Sequence, residues 1–96
     1  MMARPAEARE AEHLAKLREF LNAWDPYGLL AQGAPEDEWD GERSKIYSAL
    51  TRGEIGSSEA LADRMAAIFD NSLGGGFTAE ECSEVARAIW NWWQAR

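Results

Sequence analysis

The sequence predicts an all-α protein, a compact antiparallel bundle of about four helices. Apolar residues recur at three- and four-residue intervals in four segments, and prolines, glycines or capping residues separate these segments. No segment alternates apolar and polar residues in the way that a β-strand does. The 96 residues, 46% apolar and 28% charged, suit a single globular domain over 1–96. Because the connections are short, neighbouring helices are expected to pack side by side.

The first predicted helix covers 6–24. Pro5 suits its start, because a proline at the first helical position gives up only an N–H group that would have no partner there. Strong helix formers follow, and Pro26 ends the helix, since proline disfavours helical geometry in the residue before it. The apolar stripe of this helix consists of Leu14, Leu17, Leu21 and Trp24.

The second predicted helix covers 36–52. Pro35 marks its start, and the acidic residues at 36–38 lie where the positive end of the helix dipole favours negative charge. Gly53 ends the helix. Because Gly41 weakens the first turn, the sequence leaves the start open between Pro35 and Gly41.

The third and fourth predicted helices cover 58–72 and 79–95. A serine, Ser57 or Ser58, caps the third helix. The fourth begins at the capping box Thr78-Ala79-Glu80-Glu81, in which a threonine and a glutamate satisfy each other's backbone N–H groups.

The net charge is −7, from 17 acidic against 10 basic residues. This balance argues against nucleic acid and anionic membrane as main partners, because both attract Lys and Arg. Five of the acids fall within 36–42, which leaves a net charge of −2 for the rest of the chain. Clustered charge steers association with a partner of opposite sign, so we predict a surface that binds a basic protein. Its candidate residues, the acidic cluster, are Glu36, Asp37, Glu38, Trp39, Asp40 and Glu42.

The acidic cluster also has a purely structural interpretation. Carboxylates at a helix start can be solvated and can stabilise the helix through its dipole. Trp39 can act as an exposed anchor, since tryptophan is enriched at interaction hot spots, or as the first core residue of the second helix. The sequence leaves both interpretations open.

Three tryptophans lie near the end of the fourth helix. The apolar face of this helix is wider than ordinary folding needs, because it includes Trp90, Trp92 and Trp93. Large rings can close a small core, or they can form a dimer interface, where tryptophan is enriched. A structural homodimer assembled through these three residues is therefore the alternative function.

Two ligand-binding patterns in the sequence are incomplete. The glycines at 74–76 lack the Lys-Ser/Thr pair that follows a phosphate-binding loop, so they indicate a linker between helices. Four residues match an EF-hand calcium loop at its positions 1, 3, 5 and 6, in this order: Glu36, Glu38, Asp40 and Gly41. Position 12, which must be a bidentate glutamate, is Tyr47. We therefore expect neither a metal nor a cofactor.

No catalytic residues are predicted. His13 and Cys82 are the single histidine and the single cysteine, and each lies on or beside an apolar helix face. A buried cysteine behaves as a small hydrophobe, and no grouping of serine, histidine and acid is recognisable. Because no group of converging acid–base residues can be located, we expect a protein that is not an enzyme, and a small enzyme is the third alternative after the binding module and the homodimer. The unpaired cysteine and the absence of an apolar stretch like a secretory signal lead us to expect a cytoplasmic protein.

The segment Trp24-Asp25-Pro26-Tyr27-Gly28, followed by Glu38-Trp39-Asp40, resembles a family of bacterial domains of unknown function. These small, acidic, all-helical proteins have a W-D-P-hydrophobic-G turn and an E-aromatic-D helix start, and the resemblance covers roughly residues 20 to 70. This chain has Trp39 where the family has tyrosine, and its Gly-rich linker and Trp-rich last helix also depart from the family. The resemblance implies the helical fold and leaves the activity open.

The resemblance implies structural roles for the shared residues. Asp25 is expected to cap the turn, and Glu38 or Asp40 is expected to cap the second helix. The shared-motif positions of the turn are Trp24, Asp25, Pro26 and Gly28.

In fold and charge, though not in motif, the chain is also similar to the small acidic helical-bundle immunity proteins that block cationic nuclease toxins. Fold does not by itself imply function. Taken with the acidic cluster, this similarity leads us to expect a non-catalytic protein-binding module, with an inhibitor or immunity-type protein as one form of it. The Trp-rich homodimer is the alternative.

Overall fold

Four α-helices make up most of the chain in the structure, a computed structural model that describes residues 5–35, 37–74, 76 and 78–96. The elements are α1 (Pro5–Trp24), a short 3₁₀ helix (Pro26–Gly28), α2 (Asp40–Thr51), α3 (Ser58–Leu73) and α4 (Ala79–Ala95). The described residues contain no β-strand. The predicted all-α class is therefore confirmed.

Side-chain caps explain where α3 and α4 begin. The Oγ of Ser57 accepts a hydrogen bond from the N–H of Ala60 at 3.0 Å, and Oγ1 of Thr78 accepts one from the N–H of Glu81 at 3.3 Å. Each cap satisfies a backbone donor that has no partner inside its helix. Of the two serines considered for α3, Ser57 is the cap, and the threonine of the predicted capping box caps α4.

The start of α2 lies at Asp40, inside the interval that the sequence leaves open, rather than at residue 36. The preceding residues form turns, in which the N–H of Asp40 donates to the carbonyl oxygen of Asp37 at 3.1 Å. Trp39 occupies the N-cap position and makes no side-chain cap. The expectation that Glu38 or Asp40 caps α2 is therefore wrong.

The helices form a closed ring, because α1 and α3 each pack against both α2 and α4. The most extensive contact joins α3 to α4. Among the described residues no polar or charged side chain is fully buried, so the core is apolar throughout. Its largest members with no exposed surface are Leu17, Leu21, Ile46, Leu61, Met65, Phe69, Cys82 and Ile89.

No helix in the described part of the chain is both long enough and apolar enough to span a membrane.

Candidate functional site

Trp39 belongs to the core and not to the surface. It is only 2% exposed, and its ring packs against Phe69 with 5.5 Å between the ring centroids. An anchor that inserts into a partner must be accessible before binding. The expectation of Trp39 as an exposed anchor is therefore wrong, and the core interpretation of this residue is confirmed.

Asp40 is engaged in an ion-pair network that joins α1 to α2. Its carboxylate accepts hydrogen bonds from Nη2 of Arg18 at 2.6 Å and from Nε of Arg18 at 3.2 Å, the bidentate geometry that suits a guanidinium group. Nη2 of Arg43 lies 3.7 Å from the same carboxylate. The hydrogen bond from Arg18 is the largest of the effects that hold the pKa of Asp40 below its ordinary value. Asp40 is thus already neutralised within the protein.

The remaining residues of the acidic cluster differ in their surroundings. Asp37 and Glu38 are exposed, and we call this pair the acidic turn. Glu42 is half-buried, and its Oε2 atom has no hydrogen-bond partner in the described part of the chain. Glu36 lies outside the described residues. Among the described residues of the cluster, the acidic turn is therefore the part most accessible to a partner.

The turn motif after α1 has a structural role. Asp25 adopts a left-handed conformation, with φ of 44°, and its two carboxylate oxygens accept hydrogen bonds from the N–H groups of Leu30 at 2.9 Å and Ala31 at 3.1 Å. Pro26 is buried, and Gly28 has φ of 63°, which glycine adopts at little cost. The carboxylate of Asp25 therefore stabilises the turn through residues 30 and 31, although it does not cap the 3₁₀ helix that follows Asp25 directly.

A groove between α1 and α4 brings aromatic rings and carboxylates together. We call it the α1–α4 groove, and its volume is about 420 Å³. Phe20 and Trp24 are half-buried on one side, while Glu81 and Glu84 are exposed on the other and make no ion pair with any described residue. The lining residues are Phe20, Ala23, Trp24, Glu81, Glu84, Val85 and Ala88.

The sequence contained a signal for this groove that the charge count did not capture. Phe20 and Trp24 are four residues apart, and so are Glu81 and Val85, as well as Glu84 and Ala88, so each set lies along one side of its helix. Which helices would pack together could not be deduced from that spacing. The mixed apolar and acidic character of the groove appears only once α1 lies beside α4.

The three tryptophans of α4 lie in different environments. Trp93 is 8% exposed and belongs to the core, which removes it from the predicted dimer interface. Trp90 and Trp92 are half-buried. Trp92 packs against Phe20 with 5.9 Å between ring centroids, so it extends the aromatic surface beside the α1–α4 groove.

His13 sits in an aromatic cluster near the middle of α1. Its Nδ1 atom lies 3.3 Å from the hydroxyl of Tyr47, and its ring packs edge-on against Trp92 and Trp93 at centroid distances of 5.7 and 5.3 Å. Arg96 lies over the ring of Trp93, 3.4 Å from its centroid. Burial is the main cause that lowers the pKa of His13 from its ordinary value, so the neutral ring is favoured.

We expect the folded protein to lose stability as the pH falls below 6.5. A lowered pKa in the folded state means that the unfolded chain binds the proton more readily, so the stability is fully present above the unfolded value and declines below it. The charges of Arg96 and Arg9 act in the same direction as burial, and Glu12 opposes them. Urea unfolding at a series of pH values between about 5 and 8 measures this decline.

The variant His13→Gln is the control for that decline. Since His13 is the single histidine, this variant should unfold with a free energy that changes less over the same pH range. An equal decline in the variant and in the natural protein would contradict the assignment to His13.

Cys82 is not positioned as a nucleophile. Its side chain has no exposed surface, and burial, followed by the charge of Glu81, raises the pKa of the thiol to about 12. The reactive thiolate is therefore scarce at neutral pH. In the described part of the chain, no three His, Cys, Asp or Glu residues converge in a way that could hold a metal ion.

The chain matches no protein-family model, no curated protein and no solved structure.

Proposed function

We propose that the protein is a non-catalytic binding module for a basic protein, and that a segment of this partner lies in the α1–α4 groove. The observation that carries the proposal is the pairing of half-exposed rings, Phe20 and Trp24, with two carboxylates, Glu81 and Glu84, that form no ion pair with the described part of the chain. Aromatic rings supply contact area at a small entropic cost, and unpaired carboxylates attract Lys and Arg. An inhibitor or immunity-type role is one form that such binding would take.

The chemistry of the groove favours an amphipathic helix as the occupant. A helix that carries apolar residues on one face and Lys or Arg beside them matches an apolar floor with an acidic rim. The groove is open along α1 and α4, and its volume of about 420 Å³ accommodates several side chains of such a helix. The net charge of −7 adds long-range attraction for a basic partner.

The acidic turn is proposed to assist this binding. It directly precedes Trp39, whose ring contacts Phe69, and Phe69 in turn contacts Trp24 of the groove at 5.2 Å between ring centroids. The acidic turn and the groove therefore lie at the same end of the bundle. Exposed charges near a binding site raise the rate of association more than they raise the affinity.

The test uses a synthetic amphipathic peptide of leucine and lysine as the probe. We expect it to shift the NMR signals of groove residues first and to bind more weakly as salt is added. The double charge reversal Glu81→Lys/Glu84→Lys should weaken binding about tenfold, as expected for the loss of two exposed ion pairs and the addition of repulsion.

The matched control is Glu59→Lys/Asp63→Lys on α3. It changes the net charge by the same amount, also reverses one acid in the first turn of a helix, and lies outside the groove. Its affinity for the peptide should stay within about twofold of the natural protein. Equal weakening by both double variants would show that only the net charge matters and would overturn the assignment to the groove.

The homodimer assembled through the Trp-rich end is the second candidate. The partial exposure of Trp90 and Trp92 favours it, since half-buried tryptophans are common at interfaces. Sedimentation velocity on the samples used for the peptide titration separates the two functions. A concentration-dependent dimer that the variant Trp90→Ser/Trp92→Ser abolishes would support the homodimer, and a monomer at high concentration would contradict it.

A further inference from the structure

A second groove, between α2 and α3, is basic although the protein is acidic. We call it the α2–α3 groove, and its volume is about 340 Å³. Three of the ten basic residues of the chain line it together with a single acid, Glu54. Local charge in this groove is therefore opposite in sign to that of the whole protein. The basic residues are Lys45, Arg52 and Arg64.

The spacing along α2 places hydrogen-bond donors next to these charges. Lys45, Ser48 and Arg52 are three and four residues apart, so they lie on one side of the helix, and Ser44 lies beside them. Arg64 faces them from α3. Hydroxyl, ammonium and guanidinium groups are the donors that bind phosphate oxygens in proteins.

Two of the three basic side chains in the α2–α3 groove form no ion pair with the described part of the chain. Lys45 and Arg52 are exposed and form no ion pair with any described residue. Arg64 is held by Glu54, with 2.8 Å between Nη1 and Oε1. By contrast, Arg18 and Arg43 are both paired with Asp40.

Helix electrostatics explain only part of this arrangement. Arg52 is the C-cap residue of α2, where the negative end of the helix dipole favours a cation. Lys45 lies two turns earlier, and Arg64 belongs to a different helix, so the dipole does not account for them. Lys45 and Arg52 repel each other and Arg64, whose charge Glu54 offsets in part, and a bound anion would relieve that repulsion.

We propose that the α2–α3 groove binds the phosphate group of a small phosphorylated ligand. Lys45 and Arg52 supply the positive charge, and Ser44 and Ser48 donate hydrogen bonds to the phosphate oxygens. Arg64 gives up its ion pair with Glu54 and binds the phosphate instead. The groove is larger than a phosphate ion, which leaves room for the group to which the phosphate is attached. This site is separate from the α1–α4 groove and does not depend on the proposed function.

The test is an NMR titration of the whole protein with two probes, inorganic phosphate and phenyl phosphate, in a buffer free of other multivalent anions. Both probes should shift the backbone signals around Ser48 and Arg52, and phenyl phosphate should bind more tightly if the ligand is a phosphate ester. Tighter binding of inorganic phosphate would identify the free ion as the ligand. The double variant Lys45→Gln/Arg52→Gln should weaken binding of the preferred probe about tenfold.

Two further variants make the test specific. Glu54→Gln frees Arg64 from its competing carboxylate, so it should strengthen phosphate binding several-fold. Arg9→Gln/Lys16→Gln removes the same two charges from the exposed surface of α1 and should leave the affinity unchanged. Equal weakening by the α1 and α2 double variants, or no gain from Glu54→Gln, would overturn the site and would indicate an unspecific response to charge.

Discussion

Replacing Trp39 by alanine is expected to lower the free energy of unfolding by about 3–5 kcal/mol, the usual cost of truncating a large buried aromatic residue. The ring is 2% exposed and contacts Phe69, so the variant would leave a cavity between the start of α2 and the end of α3. A domain of this size is stabilised by only about 5–15 kcal/mol. Urea unfolding monitored by circular dichroism measures the change.

Trp39→Phe is the companion variant, because Trp39→Ala can leave too little folded protein for a binding measurement. The Nε1 atom of Trp39 has no hydrogen-bond partner among the described residues, so phenylalanine gives up packing volume without leaving a broken hydrogen bond. We expect a loss of about 1–2 kcal/mol and unchanged affinity for the leucine–lysine peptide. A stable Trp39→Ala protein that no longer binds the peptide would indicate that Trp39 lies at the surface and contacts the peptide. This result would contradict the core assignment.

The contrast between Trp39 and its neighbours shows how far the sequence can specify a site. Helical periodicity and capping residues predicted α3 and α4 nearly to the residue, because both signals are local: the hydroxyls of Ser57 and Thr78 bond backbone donors only three residues away. Whether Trp39 faces the core depends on where α3 places Phe69, thirty positions later in the chain. Trp39 shares the helical spacing of Ile46 and Leu50, which favours the core interpretation, but that spacing alone left the anchor interpretation open.

The acidic cluster illustrates the same limit for charge. Carboxylates that are neighbours in the sequence have different surroundings in the fold. Arg18 of α1 neutralises Asp40, while the acidic turn remains exposed. An ion pair between two helices neutralises both of its charges, and a count of charges along the chain does not show which residues pair. The result is a protein with an acidic groove on one side and a basic groove on another, although its sequence appears nearly neutral outside 36–42.

Replacing Asp25 by alanine should cost about 2–4 kcal/mol of folding stability, for two separate reasons. Its carboxylate accepts hydrogen bonds from the N–H groups of Leu30 and Ala31, and hydrogen bonds to a charged group contribute about 1.5–3 kcal/mol each when protected and less when exposed. Its left-handed backbone conformation also costs most residues about 1–2 kcal/mol. Alanine loses the carboxylate and tolerates the left-handed conformation poorly.

Asparagine and glycine at position 25 separate these two reasons. Asp25→Asn keeps an oxygen acceptor and a residue that adopts left-handed geometry readily, so it should lose the least, about 1 kcal/mol. Asp25→Gly keeps only the backbone freedom, so its loss of stability should lie between the losses of Asp25→Asn and Asp25→Ala. Equal losses for Asp25→Asn and Asp25→Ala would contradict the role of the side-chain oxygens, and equal losses for glycine and alanine would contradict the backbone contribution. Because Trp24 both precedes this turn and lines the α1–α4 groove, a variant that loosens the turn should also weaken peptide binding, whereas one that keeps the turn should not.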